Sequence, residues 1–299
     1  MRRSDDTPID WRESCVTPPQ AVDLVIGGLA AGEIGLFLNF AAYGRSWLAL
    51  SIAAAVAGGL PVAAGPTHAA IPAPKQIGSV LLASAYETPQ RVHRSIFLFA
   101  HWLRQQYASA KLPAPAGWDP RNLASHLRVV ALRVPQPLIV PGPKHDEWVM
   151  GPGETWLRRA ADGARLTLLD PIWHDFDEHD PVAMAALVNV LHHVADKTGT
   201  AFLLTHQAVS PLPRGLALLA ERSSWVFSLH PMTPKTAEHF AIQEPERRRW
   251  LHLSENKGLL STHPDRWLYL DAKGALGYAN PAAANSKPVA GQLPSPPNS

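Results

Sequence analysis

The chain has 299 residues, 46% hydrophobic and 17% charged, with 27 basic against 25 acidic side chains and a formal net charge of +2. That apolar content is ample for one large or two small domains, and so mild a charge gives no argument for nucleic-acid binding from composition. A single cysteine, Cys15, excludes an internal disulfide framework and fits a reducing cytoplasm.

Residues 1 to about 20 read as an extended polar leader; they contain no apolar stretch to act as a signal peptide. Cys15 lies within it and is read as an unimportant surface thiol. No uninterrupted apolar run reaches the roughly 18 residues of a membrane helix, so a cytoplasmic protein without a membrane partner is expected. The first strand is 33–38 (EIGLFL), followed by "NFAAYGRS" at 39–46 and a helix over 45–58. Strand, turn with Gly-basic-Ser, then helix is the layout of a phosphate-binding loop. The free N–H groups and positive dipole end of such a helix form an anion site. Ala42, Tyr43, Gly44, Arg45 and Ser46 would line it, with the Ser46 hydroxyl as a magnesium ligand. Asn39 stands where the usual motif has its first glycine, and Arg45 where it has lysine. A planar guanidinium cannot act as a point charge between phosphates.

A Pro/Ala-rich loop (61–76), a strand (78–84), a helix (88–109), a second such loop (111–119) and a strand (127–133) come next. A helix over 153–163 leads to the strand 165–170, whose last residue, Asp170, has the position of a Walker B carboxylate that holds magnesium. The run "HDFDEHD" (174–180) is read mainly as a solvated loop, with Asp180 capping the helix 181–198. A metal site made of its histidines and carboxylates is the alternative. Strand 201–205 ends in Thr205, His206 and Gln207, polar groups placed to sense a phosphate or touch nucleic acid. A helix over 213–222 and strands at 224–229, 249–253 and 267–270 complete the ordered part, and 280–299 reads as a disordered Pro-rich tail. "ERRRW" (246–250) is either a solvated strand entry or a phosphate-contacting face, with Arg248 at its centre. Near-continuous apolar strands alternating with helices predict an α/β domain over 21–279. Its mostly parallel sheet would have helices on both faces, with an antiparallel extension at one edge. Ligands of such sheets bind at the C-terminal ends of the strands.

The segments "GGLAAGEIGLFLNFAAYGRSWLALSIAAAVAGG", "VLLASAYETPQRVHRS", "WLRRAADGARLTLLDP", "FLLTHQA", "PRGLALLAERSSWVFSL" and "DRWLYLDAKGALGYA" follow one another in order. Together they resemble the RepA-type hexameric replicative helicases of broad-host-range plasmids, which belong to the RecA-like P-loop ATPases. The resemblance implies a RecA-like core, ATP with Mg2+ bound between subunits of a homo-oligomer, and single-stranded DNA as partner. It carries the nucleotide site onto Ala42–Ser46 and Asp170, with His206 and the pair Arg214–Gly215 also matching. The position of the water-activating glutamate falls on Tyr86, with Glu87 one place later. The arginine finger falls on Ser224, with Arg222 two places earlier, and a second basic residue lies near Lys257. Tyrosine, with an ordinary pKa near 10, cannot be that base near neutral pH, and adjacent strand residues face opposite ways.

The charge clamp, the water activator and the finger are therefore all altered. A finger alone contributes roughly 10³–10⁵ in rate, so the expectation is a degenerate ATP site with weak or no hydrolysis. Such a protein would assemble with itself, DNA or a replication partner. An active helicase using Arg45 and Glu87, with His206 and Arg222 assisting, is the first alternative. A metal-dependent phosphohydrolase at 170–180 is the second.

Overall fold

The computed structural model describes residues 21–63, 69–109, 120–144, 147–173, 176–258, 266–272 and 275–283. The expected leader at 1–20 with Cys15, the loop at 111–119 and the tail beyond 283 lie outside the described residues, as do His174 and Asp175.

In chain order, β1 (Leu24–Ile26) and β2 (Leu29–Ala30) form a small hairpin, followed by β3 (Ile34–Asn39) and helix α1 (Arg45–Gly58). Next come β4 (Val80–Ala85), α2 (Pro89–Ser109), α3 (Pro120–His126) and β5 (Leu127–Leu132). A second hairpin, β6 (Ile139–Pro141) with β7 (Trp148–Met150), leads into α4 (Pro152–Ala161) and β8 (Leu166–Asp170). The chain continues through α5 (Pro181–Thr198), β9 (Ala201–Gln207), α6 (Arg214–Arg222), β10 (Trp225–Pro231) and α7 (Pro234–His239). It ends with β11 (Trp250–Lys257), β12 (Arg266–Leu270) and β13 (Leu276–Tyr278), plus 3-10 turns at Glu246–Arg249 and Pro281–Ala283. Pro281–Ala283 thus brings the start of the expected tail into the described structure.

Nine strands form one sheet in the order β13-β12-β11-β10-β3-β9-β8-β4-β5. From β10 to β5 every pairing is parallel, and from β10 to β13 every pairing is antiparallel. The expected α/β architecture with an antiparallel edge is the one observed. The parallel strands are apolar throughout because both faces are covered. Phe37, Leu82, Leu168 and Leu203 face α1, whereas Leu36, Leu38, Leu169 and Leu204 face α5 and α6.

The reason α1 is so poor in large side chains is its position. Every residue from Leu48 to Gly58 is buried, so a helix apolar all round suits it, and its alanines let it sit close to the sheet. Its C-terminus closes on Gly59 in the left-handed region, whose N–H donates to the Ala55 carbonyl. Asp180 caps α5 as expected, accepting from the N–H groups of Val182 and Ala183 with Pro181 next to it. The hairpins, α3, α7 and β13 had not been expected. They are too short for periodicity to register.

Candidate functional site

Strands β3, β9 and β8 are neighbours in the sheet and parallel, so Asn39, Gln207 and Asp170 emerge at the same edge. The loop 40–44 starts there and ends on Gly44, the residue before α1, at φ 93°. A side chain at Gly44 would be strained, and its Cβ would also meet Leu276 Cδ1 at 2.8 Å. Glycine is needed here for both reasons.

The loop is braced from below. Asn39 Nδ2 donates to the Ala41 carbonyl (2.8 Å) and to Gln207 Oε1 (3.0 Å). Gln207 Nε2 in turn donates to the carbonyls of Asn39 (2.9 Å) and Ala41 (2.7 Å). The Ala41 N–H donates to Asn39 Oδ1 and the Phe40 N–H to the Leu229 carbonyl. A glycine at position 39 could make none of the side-chain bonds, so asparagine gives this loop an internal scaffold. Phe40 turns onto β10 and stacks on His230, with centroids 4.4 Å apart and planes 10° from parallel. Burial pushes the Tyr43 phenol above its ordinary pKa, opposed by Arg247, Arg248 and Arg249 nearby.

Arg45 Nε donates to Asp170 Oδ1 at 2.9 Å. The same oxygen accepts from Thr205 Oγ1 at 2.6 Å. The Asp170 side chain is 4% exposed and that of Arg45 25%. The two residues expected to hold phosphate and magnesium therefore hold one another, while Ser46 is exposed on the first turn of α1. A charge-assisted bond of this kind is about twice as strong as a neutral one.

At the end of β4 the backbone leaves the extended region. Tyr86 has φ 60° and is 54% exposed. Left-handed geometry costs a residue other than glycine roughly 1–2 kcal/mol. It also ends the alternation of faces that would set Glu87 opposite Tyr86. Glu87 is half-buried, its Oε2 is shielded from solvent without a hydrogen-bond partner among the described residues, and Arg91 Nη1 lies 3.8 Å from that oxygen.

His206 Nε2 lies 3.1 Å from Glu178 Oε1. The Glu178 carbonyl accepts from the Gly215 N–H at 3.0 Å, and a Cβ on Gly215 would fall 2.5 Å from that carbonyl oxygen. The Arg214–Gly215 pair thus owes its glycine to a close approach of backbones, with Arg214 exposed beside it. The polar run 174–180 divides among different tasks: His179 pairs with Asp177, Glu178 with His206, and Asp180 caps α5. Among the described residues no three potential ligands converge as a metal site.

Arg222 and Lys257 lie at the opposite edge of the sheet, where β10 starts and β11 ends. Lys257 Nζ donates to the Glu221 carbonyl at 2.6 Å, a favourable place for a cation at the end of α6. The structure brings these two together, away from the loop of their own chain. In the 3-10 turn, Arg247 and Arg248 both pair with Glu244, and Arg249 pairs with Glu246. Arg248 remains 74% exposed.

The braces and the Arg45–Asp170 bond were missed in the sequence. Only the choice of Asn39 and of arginine at position 45 hinted at them. A family model described as "AAA domain" matches residues 2–209. Among solved structures the chain is similar to one titled "Crystal structure of the RadB recombinase", with 12% identity and a TM-score of 0.48, covering 85% of this chain and 94% of that one.

Proposed function

The chain belongs to the AAA domain family, and on that premise we propose a RecA-like P-loop protein of RepA type, from a plasmid or other mobile element, whose ATP site is degenerate. The observation that carries this reading is the bond from Arg45 to Asp170. A magnesium ion shared by Ser46 and Asp170 would have to displace a guanidinium from a carboxylate oxygen that also accepts from Thr205. The residues as arranged do not fit that ion, and Arg45 is not free to meet a phosphate. ATP with Mg2+ then binds weakly or not at all, at the loop Ala42–Ser46. The protein acts as an assembly or DNA-binding factor in replication or recombination, over a single domain at 21–279. Arg214, Arg248 and Lys257 are its nucleic-acid contacts, and Arg222 and Lys257 face a neighbouring copy.

Glu87 supports a second reading, an active ATPase. Its shielded carboxylate oxygen, 3.8 Å from Arg91 and without a hydrogen bond among the described residues, follows a strained Tyr86 at the C-terminal edge of the sheet, and strain of this kind collects at functional sites. In that reading Glu87 activates water while His206 senses the phosphate.

Calorimetric titration with Mg-ATP, followed by turnover with single-stranded DNA, separates the two. The first reading expects negligible binding heat and DNA-independent turnover near background. It also expects Arg45→Lys with Tyr86→Glu to gain measurable binding or turnover. DNA-stimulated hydrolysis in the unaltered chain, lost in both Asp170→Ala and Glu87→Gln, would establish the second and remove the first.

A further inference from the structure

Helix α2 turns Phe99, Trp102 and Leu103 into the core around α1. Its opposite side is built differently. At helical spacing, His93, Arg94, Phe97, His101 and Arg104 share an outward stripe. All five are exposed, Phe97 at 63%. The Phe97 ring lies parallel to that of His101, with centroids 6.4 Å apart and planes 9° from parallel. Ile96 and Leu98 flank Phe97, and each is 36% exposed. A lone exposed apolar residue needs no explanation, but three in succession on one helix form a patch. The helix contains no acidic residue, and Arg94 and Arg104 have no carboxylate partner among the described residues. An occupant that suits this stripe is acidic and carries an aromatic ring.

Such a segment lies in this chain, ahead of the described residues. "DDTPIDWRE" (5–13) has four acidic side chains, Asp5, Asp6, Asp10 and Glu13, against one basic, with Ile9 and Trp11 among them. The place where the chain enters the structure favours the same helix. Asp23 accepts from Arg165 Nη1 at 2.9 Å, and the Arg165 N–H donates to the carbonyl of Ser79, the residue before β4. That is the N-terminal edge of the sheet. The last turn of α2 is at this edge too, since the helix runs back from the end of β4 toward the start of β5. Val25, Ile26 and Leu29 of the first hairpin join the same buried cluster as α2, so both lie on one side of the sheet. Phe97 is 12 residues from the end of α2, about 18 Å along its axis. The ten residues from Trp11 to Ala21 reach up to about 33–36 Å, which is enough to seat Trp11 there.

We propose that residues 5–13 fold back onto the outer stripe of α2 in the same chain. Trp11 covers Phe97, and the carboxylates face Arg94 and Arg104. A tether this short gives an effective concentration in about the millimolar range, so modest surface contacts suffice. A second copy would have to supply that concentration from solution. The segment straps the helix that follows Tyr86 and Glu87, and the patch closes without another protein.

Cys15, the single cysteine, makes a direct test possible. Ala108 is exposed at the α2 end of the proposed path, and Ala108→Cys places a second thiol there. Asp196→Cys is the control, exposed on α5 at the same sheet edge but on the opposite face. A short bismaleimide joins each introduced thiol to Cys15 in a mixture of isotopically light and heavy full-length protein, read by mass spectrometry. Ala108→Cys should cross-link at least about 5-fold faster than Asp196→Cys, within single chains only. Trp11→Ala should remove most of that advantage. Arg94→Glu with Arg104→Glu should slow the reaction as well, and adding Asp10→Arg with Glu13→Arg should restore it. Should circular dichroism show the Ala108 variant unfolded, Gln105→Cys, also exposed, carries the same expectation. Equal rates at the two positions would overturn the strap, as would an advantage that survives Trp11→Ala. Links between light and heavy chains would overturn it in favour of a second copy on α2.

Discussion

Two parts of the same sheet edge behave in opposite ways. Between β3, β8 and β9 every conspicuous polar group has found a partner: Asn39 with Gln207, and Arg45 and Thr205 with Asp170. At the end of β4, a few residues from Ser84, which lies beside Asp170 in the sheet, the chain is strained at Tyr86, and Glu87 Oε2 faces Arg91 at 3.8 Å without a hydrogen bond among the described residues. The first part has the signature of structure, with charges neutralised internally and a loop braced by Asn39 and Gln207. The second pairs a left-handed tyrosine with a carboxylate that meets Arg91 at 3.8 Å.

The largest effect that can break this contrast is expected from Asp170→Ala. If the Arg45–Asp170 pair is structural, its removal leaves a partly buried guanidinium and Thr205 without their acceptor. Stability should fall by about 2–3 kcal/mol, below the figure for a fully buried pair because Arg45 retains some solvent. Urea unfolding measures it, and a change under about 0.5 kcal/mol, the scale of surface substitutions, would place the pair among ordinary surface contacts. A smaller effect tests the other half. Tyr86→Gly should be neutral or stabilising by up to about 1 kcal/mol, since relief of strain is offset by the entropy of glycine. Tyr86→Val, β-branched at positive φ, should lower the melting temperature. Equal melting temperatures for the two variants would mean that Tyr86 stores no strain.

The mildest test lies beyond both halves. Burial, followed by the bond to Glu246, pushes the Tyr269 phenol up to about 12. A raised pKa contributes stability that is complete below pH 10 and is lost as pH rises from 10 toward 12. The melting temperature should decline in that window, more in the unaltered chain than in Tyr269→Phe. Conversely, burial and the neighbouring His252 lower the pKa of His230. Stability from that group is therefore full above about pH 6.5 and falls as the medium becomes more acid.

Much of the scaffold could be read from residues. Strands 33–38, 165–170 and 201–205 were legible because buried parallel strands are apolar throughout, and α1 because its alanine-rich run begins at the glycine-arginine-serine turn. The first hairpin was legible in principle: Gly27-Gly28 between two apolar stretches is a two-residue turn signal, lost against the longer patterns around it. The cross-strand pairing of His230 with His252, and of His252 with Trp267, was not legible. His230, His252 and Trp267 belong to three strands, and only their register makes them neighbours.

By itself the sequence determined the longer strands and helices and their order, the parallel sheet with its antiparallel edge, and the positions of "NFAAYGRS" and Asp170 at strand ends. Those follow from local periodicity and from the rule that such sheets present their C-terminal edge. Tertiary structure alone decided that Arg45 turns to Asp170, 125 residues away. It also decided that Asn39 and Gln207 hold the loop, and that a left-handed Tyr86 breaks the alternation before Glu87. Those outcomes depend on which strands lie side by side and on where a charged side chain finds its nearest opposite. Neither has a period in the chain.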